Sequence, residues 1–174
     1  MNFIKSFIYR LLNKQISNIY NRRFEKYYNT PKGVFWNSKL SQDLRLNIIL
    51  DKIISKLNNK KLSIADVGCG YGRLYEIIKE RKLDHIIEYN GFDINQKLIN
   101  FCKNKKEFRN VKFTVSFFPL KKTDYVIISG TYNLSPTSNM NLWENYIIEN
   151  LKSNWKMVEK GMIFNCLIKE KRKI

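Results

Sequence analysis

The residues whose spacing carries most chemistry are Asp66-Val67-Gly68-Cys69-Gly70-Tyr71-Gly72-Arg73. Glycines at three alternate positions let a ligand approach backbone that side chains would otherwise block. Two nucleotide readings compete for such a turn. A dinucleotide site uses Gly-x-Gly-x-x-Gly, with the pyrophosphate on the helix N-terminus, but Arg73 stands where the third glycine belongs. A phosphate loop requires Gly-Lys-Ser/Thr, and no such triplet follows. Asp66, two residues before the first glycine, would oppose a pyrophosphate and suits a cationic ligand.

A turn of this kind needs a strand before it and a helix after it. Leu62–Val67 is a short apolar run bounded by polar residues and glycine, and residues 74–81 are helical in period. Further strands are predicted over 89–94, 111–115, 125–128 and 162–168, and helices over 96–103 and 142–158. An earlier helix is predicted over 44–57, beginning after Ser41. This alternation predicts an α/β fold with a parallel sheet covered on both faces.

The motif resembles the first motif of the Rossmann-like (class I) S-adenosylmethionine-dependent methyltransferases, whose cofactor carries an ammonium and a sulfonium. Asn90-Gly91-Phe92-Asp93-Ile94 resembles the end of that family's second strand. Asp93 lies 21 residues beyond Gly72, near the ~20-residue separation at which an acid meets ribose hydroxyls in dinucleotide folds. A narrower similarity, to a bacterial group, is carried by Val34-Phe35-Trp36-Asn37-Ser38, Arg45, Ser129-Gly130-Thr131-Tyr132-Asn133 and residues 160–165.

The resemblance implies a doubly wound sheet of about five parallel strands. It implies S-adenosylmethionine as cofactor, with Gly68, Cys69, Gly70 and Gly72 along its methionine part and Asp66 by the amino group. Asp93, with Ile94, takes the ribose. Ser129 and Gly130 face the sulfonium, and Arg45 pairs with the methionine carboxylate under Trp36. The usual acid for the adenine is missing from Val115-Ser116-Phe117-Phe118-Pro119, which leaves stacking on Phe117 or Phe118. Tyr71, Tyr132 and Asn133 are candidate contacts for a small-molecule or glycan-linked acceptor. In-line transfer from a sulfonium needs alignment more than acid–base help, and the single histidine, His85, reads as a surface residue. The Asp/Asn-Pro-Pro-Tyr sequence of amide and base methylases is replaced by Ser129-Gly130-Thr131-Tyr132. The competing expectation is a catalytically silent Rossmann-like module that binds a partner.

The resemblance also predicts a chain short of the family's C-terminal helix and antiparallel strand pair. The fifth strand would then be an open edge for a partner chain to cover. Residues 1–33 read as an extension to a domain over 34–174. Within it, residues 1–28 read as a basic amphipathic helix. It is no signal peptide, because Lys5, Arg10 and Lys14 interrupt any apolar core. Such a helix packs on the domain or a partner chain, or lies peripherally on anionic lipid.

Composition bounds these readings. At 174 residues and 14% aromatic, the chain suits one folded domain rather than a disordered one. No apolar run approaches the ~20 residues of a membrane-spanning helix. Cys69, Cys102 and Cys166 contain no CxxC pair, which fits a reducing, cytoplasmic setting and no metal site. The net charge of +17 comes from 24 Lys against 8 Arg. It is spread along the whole chain, which argues against a nucleic-acid groove.

Overall fold

The computed structural model describes residues 3–56 and 61–166. Five strands, β1 (Leu62–Val67), β2 (Ile87–Asp93), β3 (Lys112–Val115), β4 (Thr123–Ser129) and β5 (Val158–Asn165), form one sheet in the order β3-β2-β1-β4-β5. Every pairing is parallel, as the alternation of elements predicts. Asp66 sits opposite Gly91 on one side and Ile127 on the other. The strand order reverses between β1 and β4, the place where open α/β sheets bind ligands beyond their strands' C-terminal ends.

The helices are α1 (Phe3–Tyr27), α2 (Lys39–Ile54), α3 (Arg73–Glu80), α4 (Gln96–Asn104) and α5 (Met140–Trp155). Side chains alternate across β1, so its two faces feed two cores. Leu62 and Ile64 pack with Leu50 and Ile53 of α2, Leu74 and Ile78 of α3 and Ile99 of α4. Ala65 and Val67 pack on the other face with Tyr9, Leu12 and Ile16 of α1 and Trp143 and Tyr146 of α5.

The α1 helix has a specific reason to be there. Residues 116–122, which join β3 to β4, contain no helix, although a parallel crossover usually carries one. The sheet face over β1 and β2 would lie bare, and α1 fills it. Tyr9, Leu12, Ile16 and Phe24 are buried. The Tyr146 hydroxyl donates to Asn13, Asn95 Nδ2 donates to Ser17 O at 3.0 Å and to Asn21 Oδ1 at 2.9 Å, and Lys97 pairs with Glu25. Ile4, Phe7 and Leu11 remain exposed on its outer side.

Most boundaries shift by one or two residues, and the expected 142–158 helix ends at Trp155, so that Val158 belongs to β5. The two largest shifts are at the starts of α2 and β5. Helix α2 starts at Lys39, because Ser38 caps it by accepting the Ser41 N–H at 3.1 Å. Strand β5 starts at Val158, four residues before its expected start. It carries one extra residue between the pairs Thr123–Val158 and Tyr125–Gly161, a bulge at which Lys160 reaches Asp124 at 2.7 Å. Glu159 and Lys160 are exposed on this edge strand, so its first half has no apolar pattern. Among the described residues β5 pairs with β4 alone. The expected end of the 44–57 helix and residues 167–168 of the last strand lie outside the described residues.

Candidate functional site

The cleft opens at the C-terminal ends of β1, β2 and β4. Gly68, Gly70 and Gly72 all have left-handed φ, at 79°, 57° and 88°, which favours glycine. The loop they form is stitched to the neighbouring strand: the Gly68 and Cys69 N–H groups both donate to Phe92 O, at 2.7 and 3.0 Å. The Gly70 N–H donates to Asp93 Oδ2 at 3.0 Å, and Asp93 Oδ1 accepts the Asn95 N–H at 2.8 Å. Each carboxylate oxygen keeps acceptor capacity for a ligand hydroxyl.

Asp66 is buried, and its Oδ2 accepts the Tyr89 hydroxyl at 2.7 Å. Burial pushes its pKa up to about 7; the Tyr89 hydrogen bond opposes that rise and the charge of Asp93 adds to it. Burial likewise raises Asp93 to about 6, against the backbone N–H groups of Asn95 and Gly70. Two desolvated acids facing one cleft favour a cationic occupant.

The β4 end is set by two neighbours. A Cβ on Gly68 would lie 2.2 Å from Thr131 Oγ1, and that hydroxyl donates to Val67 O at 2.9 Å. Asn165 of β5 accepts the Gly130 N–H at 2.8 Å and donates to Ser129 Oγ at 3.0 Å. Above the loops runs the segment after the 3-10 turn Pro31–Val34. Val34 lies against Gly70 and Trp36 against Gly130, each 3.2–3.3 Å from where a Cβ would be. This roof is tied to α1 by Phe35, whose ring meets Tyr20 at 5.2 Å and the Arg23 guanidinium at 4.7 Å.

Of the candidate site residues singled out from sequence, all line this cleft except Arg45, Gly72, Phe118 and Asn133. Arg45 is exposed on α2, with its guanidinium 5.1 Å from the Trp36 ring; it touches the roof rather than the cleft. Gly72 faces the first core, where a Cβ would meet the Phe108 ring at 2.6 Å. Asn133 is exposed in the turn after Gly130. Tyr71 lines the cleft but its hydroxyl is committed to Gln42 at 2.6 Å. Phe117 is 37% exposed at the end of β3, edge-on to Phe118. His85 is exposed.

Sequence reasoning missed Thr131, Asn165, Tyr20, Trp143 and Asn150. Trp143 and Asn150 lie on α5, whose period reads as core, and Tyr20 belongs to a helix over a hundred residues away from it. Arg73 was noted only for what it displaces. It is a buried hub, held by Asp43 at 2.7 Å, Glu80 at 2.7 Å and Glu76 at 3.0 Å, and it ties α2 to α3.

Residues 58–160 match the family described as a methyltransferase domain. The chain belongs to the methyltransferase-domain family. A Mycobacterium tuberculosis protein named as a methyltransferase, Rv1506c, is 29% identical over 106 residues, covering 60% of this chain and 63% of its own length. The ubiquinone/menaquinone biosynthesis C-methyltransferase UbiE of Campylobacter jejuni is 30% identical over 107 residues, covering 58% of this chain and 41% of its own. Among solved structures, the plantazolicin methyltransferase BpumL, crystallised in complex with a triazolic desmethylPZN analog and SAH, superposes with a TM-score of 0.60 at 16% identity. That match covers 91% of this chain and 60% of BpumL. This methyltransferase domain thus spans between two-fifths and two-thirds of the lengths of these relatives. Among the described residues, no group of His, Cys, Asp and Glu is arranged to hold a metal ion, and no helix is long and apolar enough to cross a membrane.

Proposed function

We propose that the chain binds S-adenosylmethionine and transfers its methyl group to a small-molecule or glycan-linked acceptor. The observation that carries this reading is the placement of Asp66 and Asp93 on either side of the Gly68–Gly70 loop in one cleft. The residues fit the group: buried carboxylates suit its ammonium and sulfonium, and Asp93 retains acceptor sites for two ribose hydroxyls. The cofactor supplies an electrophilic methyl group on sulfur.

The protein's own residues align and shield. Asp93 takes the ribose and holds Gly70, and Asp66 lies by the amino group. The Gly68–Gly70 backbone, with Cys69, follows the methionine part, and Ile94 lies beside Asp93 at the ribose. Ser129 and Gly130, fixed by Asn165, face the reacting centre. Phe117 offers a stacking surface for adenine, with Ser116 beside it in the cleft. The Val34–Trp36 roof covers the Gly70 and Gly130 backbone, and the transfer relies on orientation more than on a general base. Arg45, stacked on Trp36, supports that roof. Gly72 serves by letting α3 pack closely. Asn133 shapes the turn after Gly130.

Calorimetry with S-adenosylmethionine and SAH tests the reading. Binding that weakens sharply in Asp93→Ala and Gly70→Val supports it. Absence of binding by the wild-type chain, or affinity unchanged in both variants, refutes it.

A further inference from the structure

Beyond the glycine loop, the cleft continues under α1 and α5, where its walls are Tyr20, Tyr132, Trp143, Tyr146 and Asn150. Trp143 and Tyr146 stack on each other with ring centroids 5.1 Å apart and planes within 13°, and this aromatic pair lines one wall of the cleft. Tyr20 meets Phe35 of the roof edge-on, so the wall and roof share one cavity.

The charged side chains lining the cleft, among the described residues, are Asp66, Arg73 and Asp93. Arg73 is neutralised by protein carboxylates, and Asp66 and Asp93 are the two acids the cofactor would occupy. Arg73 is saturated by Asp43, Glu76 and Glu80. Asp66 takes the Tyr89 hydroxyl, and Asp93 takes two backbone N–H groups. With the cofactor on Asp66 and Asp93, the α5 side of the cleft would offer no free counter-charge to a carboxylate, phosphate or ammonium, and a charge desolvated there would be costly. By contrast, several neutral hydrogen-bonding groups are uncommitted. Among the described residues the hydroxyls of Tyr20 and Tyr132 and the indole N–H of Trp143 make no side-chain hydrogen bond, while the Tyr146 hydroxyl is held by Asn13. Tyr132 and Trp143 are 7% and 5% exposed. The sealed side-chain atoms without a partner among the described residues are Tyr9 Oη and Asn154 Oδ1, so the polar atoms of Tyr132 and Trp143, which line the cleft, stay accessible to a ligand.

We propose that the Tyr132–Trp143–Tyr146 wall is the acceptor subsite and selects an uncharged, ring-shaped, hydroxyl-bearing acceptor. This inference rests on the methyl-transfer reading above. In the transfer, an acceptor-oxygen lone pair forms the new O–CH3 bond and the breaking S–C pair stays on sulfur, while the hydroxyl proton passes to water. The ring packs against the Trp143–Tyr146 pair, and its polar groups take the hydroxyl of Tyr132 and the indole N–H.

The test uses matched probes that share one reacting group and differ in charge: 4-methylcatechol, 3,4-dihydroxybenzoate and dopamine, with methyl α-D-glucopyranoside as the sugar arm. The full chain is saturated with SAH for thermal-shift binding or with S-adenosylmethionine for SAH release. A neutral probe should bind or turn over at least tenfold better than its anionic and cationic counterparts. The catechol and glucoside arms then report whether the ring is aromatic or a sugar. Tyr132→Phe should raise the apparent KM for the best neutral probe about tenfold and leave the SAH dissociation constant unchanged. A preference for a charged probe, or no effect of any neutral probe at millimolar concentration on a chain that binds SAH, overturns the inference. Failure to bind SAH at all would instead strike the methyl-transfer reading.

Discussion

Asp93 Oδ2 accepts the Gly70 backbone N–H at 3.0 Å, so the acid at the end of β2 fixes the loop that follows β1. One side chain both shapes the cradle and faces its occupant. Asp93→Ala should therefore weaken S-adenosylmethionine binding about 10–100-fold, the loss of one charge-assisted interaction of about 1.5–3 kcal/mol. Asp93→Asn, which keeps one acceptor, should lose less. Calorimetric dissociation constants for the two variants decide this.

The elevated pKa values of Asp66, about 7, and Asp93, about 6, make a prediction about pH. Both exceed the unfolded carboxylate value, so the folded state holds more protons between about pH 4 and 7. Stability from these groups is present at the acid end and is lost as pH rises through 6–7. The ligand-free protein should melt at a lower temperature at pH 7.5 than at pH 5.5, and Asp66→Asn should flatten that slope. A cationic ligand favours the ionised acids, so cofactor affinity should rise over the same interval with proton release on binding. Melting curves and calorimetry in buffers of different ionisation enthalpy read both effects.

Glycines 68 and 70 should differ in tolerance. Each has positive φ, which costs an L-residue roughly 1–2 kcal/mol. A Cβ at Gly68 would also strike Thr131 at 2.2 Å, whereas at Gly70 the nearest atom is Val34 Cγ1 at 3.3 Å. Gly68→Ala should destabilise the protein more than Gly70→Ala in urea titrations, and Thr131→Ser should relieve part of the difference.

Arg73→Ala removes the cation from three carboxylates, two of which are at most 28% exposed. Breaking such a hub typically costs about 3–5 kcal/mol. Half-exposed Glu80 and the link from Glu76 to Lys105 should hold the loss toward the lower end. Chemical denaturation gives the value.

Leu12→Ala and Ile16→Ala probe α1 itself. Both side chains are buried against β1 and β2, so each should cost about 2–5 kcal/mol. Phe7→Ser, on the exposed outer side, should change stability little. Equal effects at the two faces would contradict the packing described.

Strand β1 is legible to the residue, because Leu62–Val67 is an apolar run closed by a glycine. The acids at 66 and 93 are legible because they stand in the last two positions of their strands, just before the turns. Strand β5 is misread at its start because an edge strand exposes Glu159 and Lys160, leaving no burial pattern to see. The roles of Thr131 and Asn165 are invisible for another reason: each fixes a loop belonging to a different strand. The aromatic wall is hidden because Trp143 and Tyr146 obey the same helical period as core residues. Only the tertiary arrangement shows that this stretch of core borders a cleft.

The helix-free link between β3 and β4 also bears on how the chain is made. Because α1 covers the face that a crossover helix would have covered, its partners are Val67, Phe92 and Val126 and finally Tyr146, some 130 residues downstream. A ribosome synthesises the first helix long before its docking surface exists. Through that interval the nascent chain displays a basic helix whose future core face, Leu12 and Ile16, lies open beside Ile4, Phe7 and Leu11. The domain closes by returning to its own beginning, and that non-local step, rather than assembly of the neighbouring strands, should pace its folding.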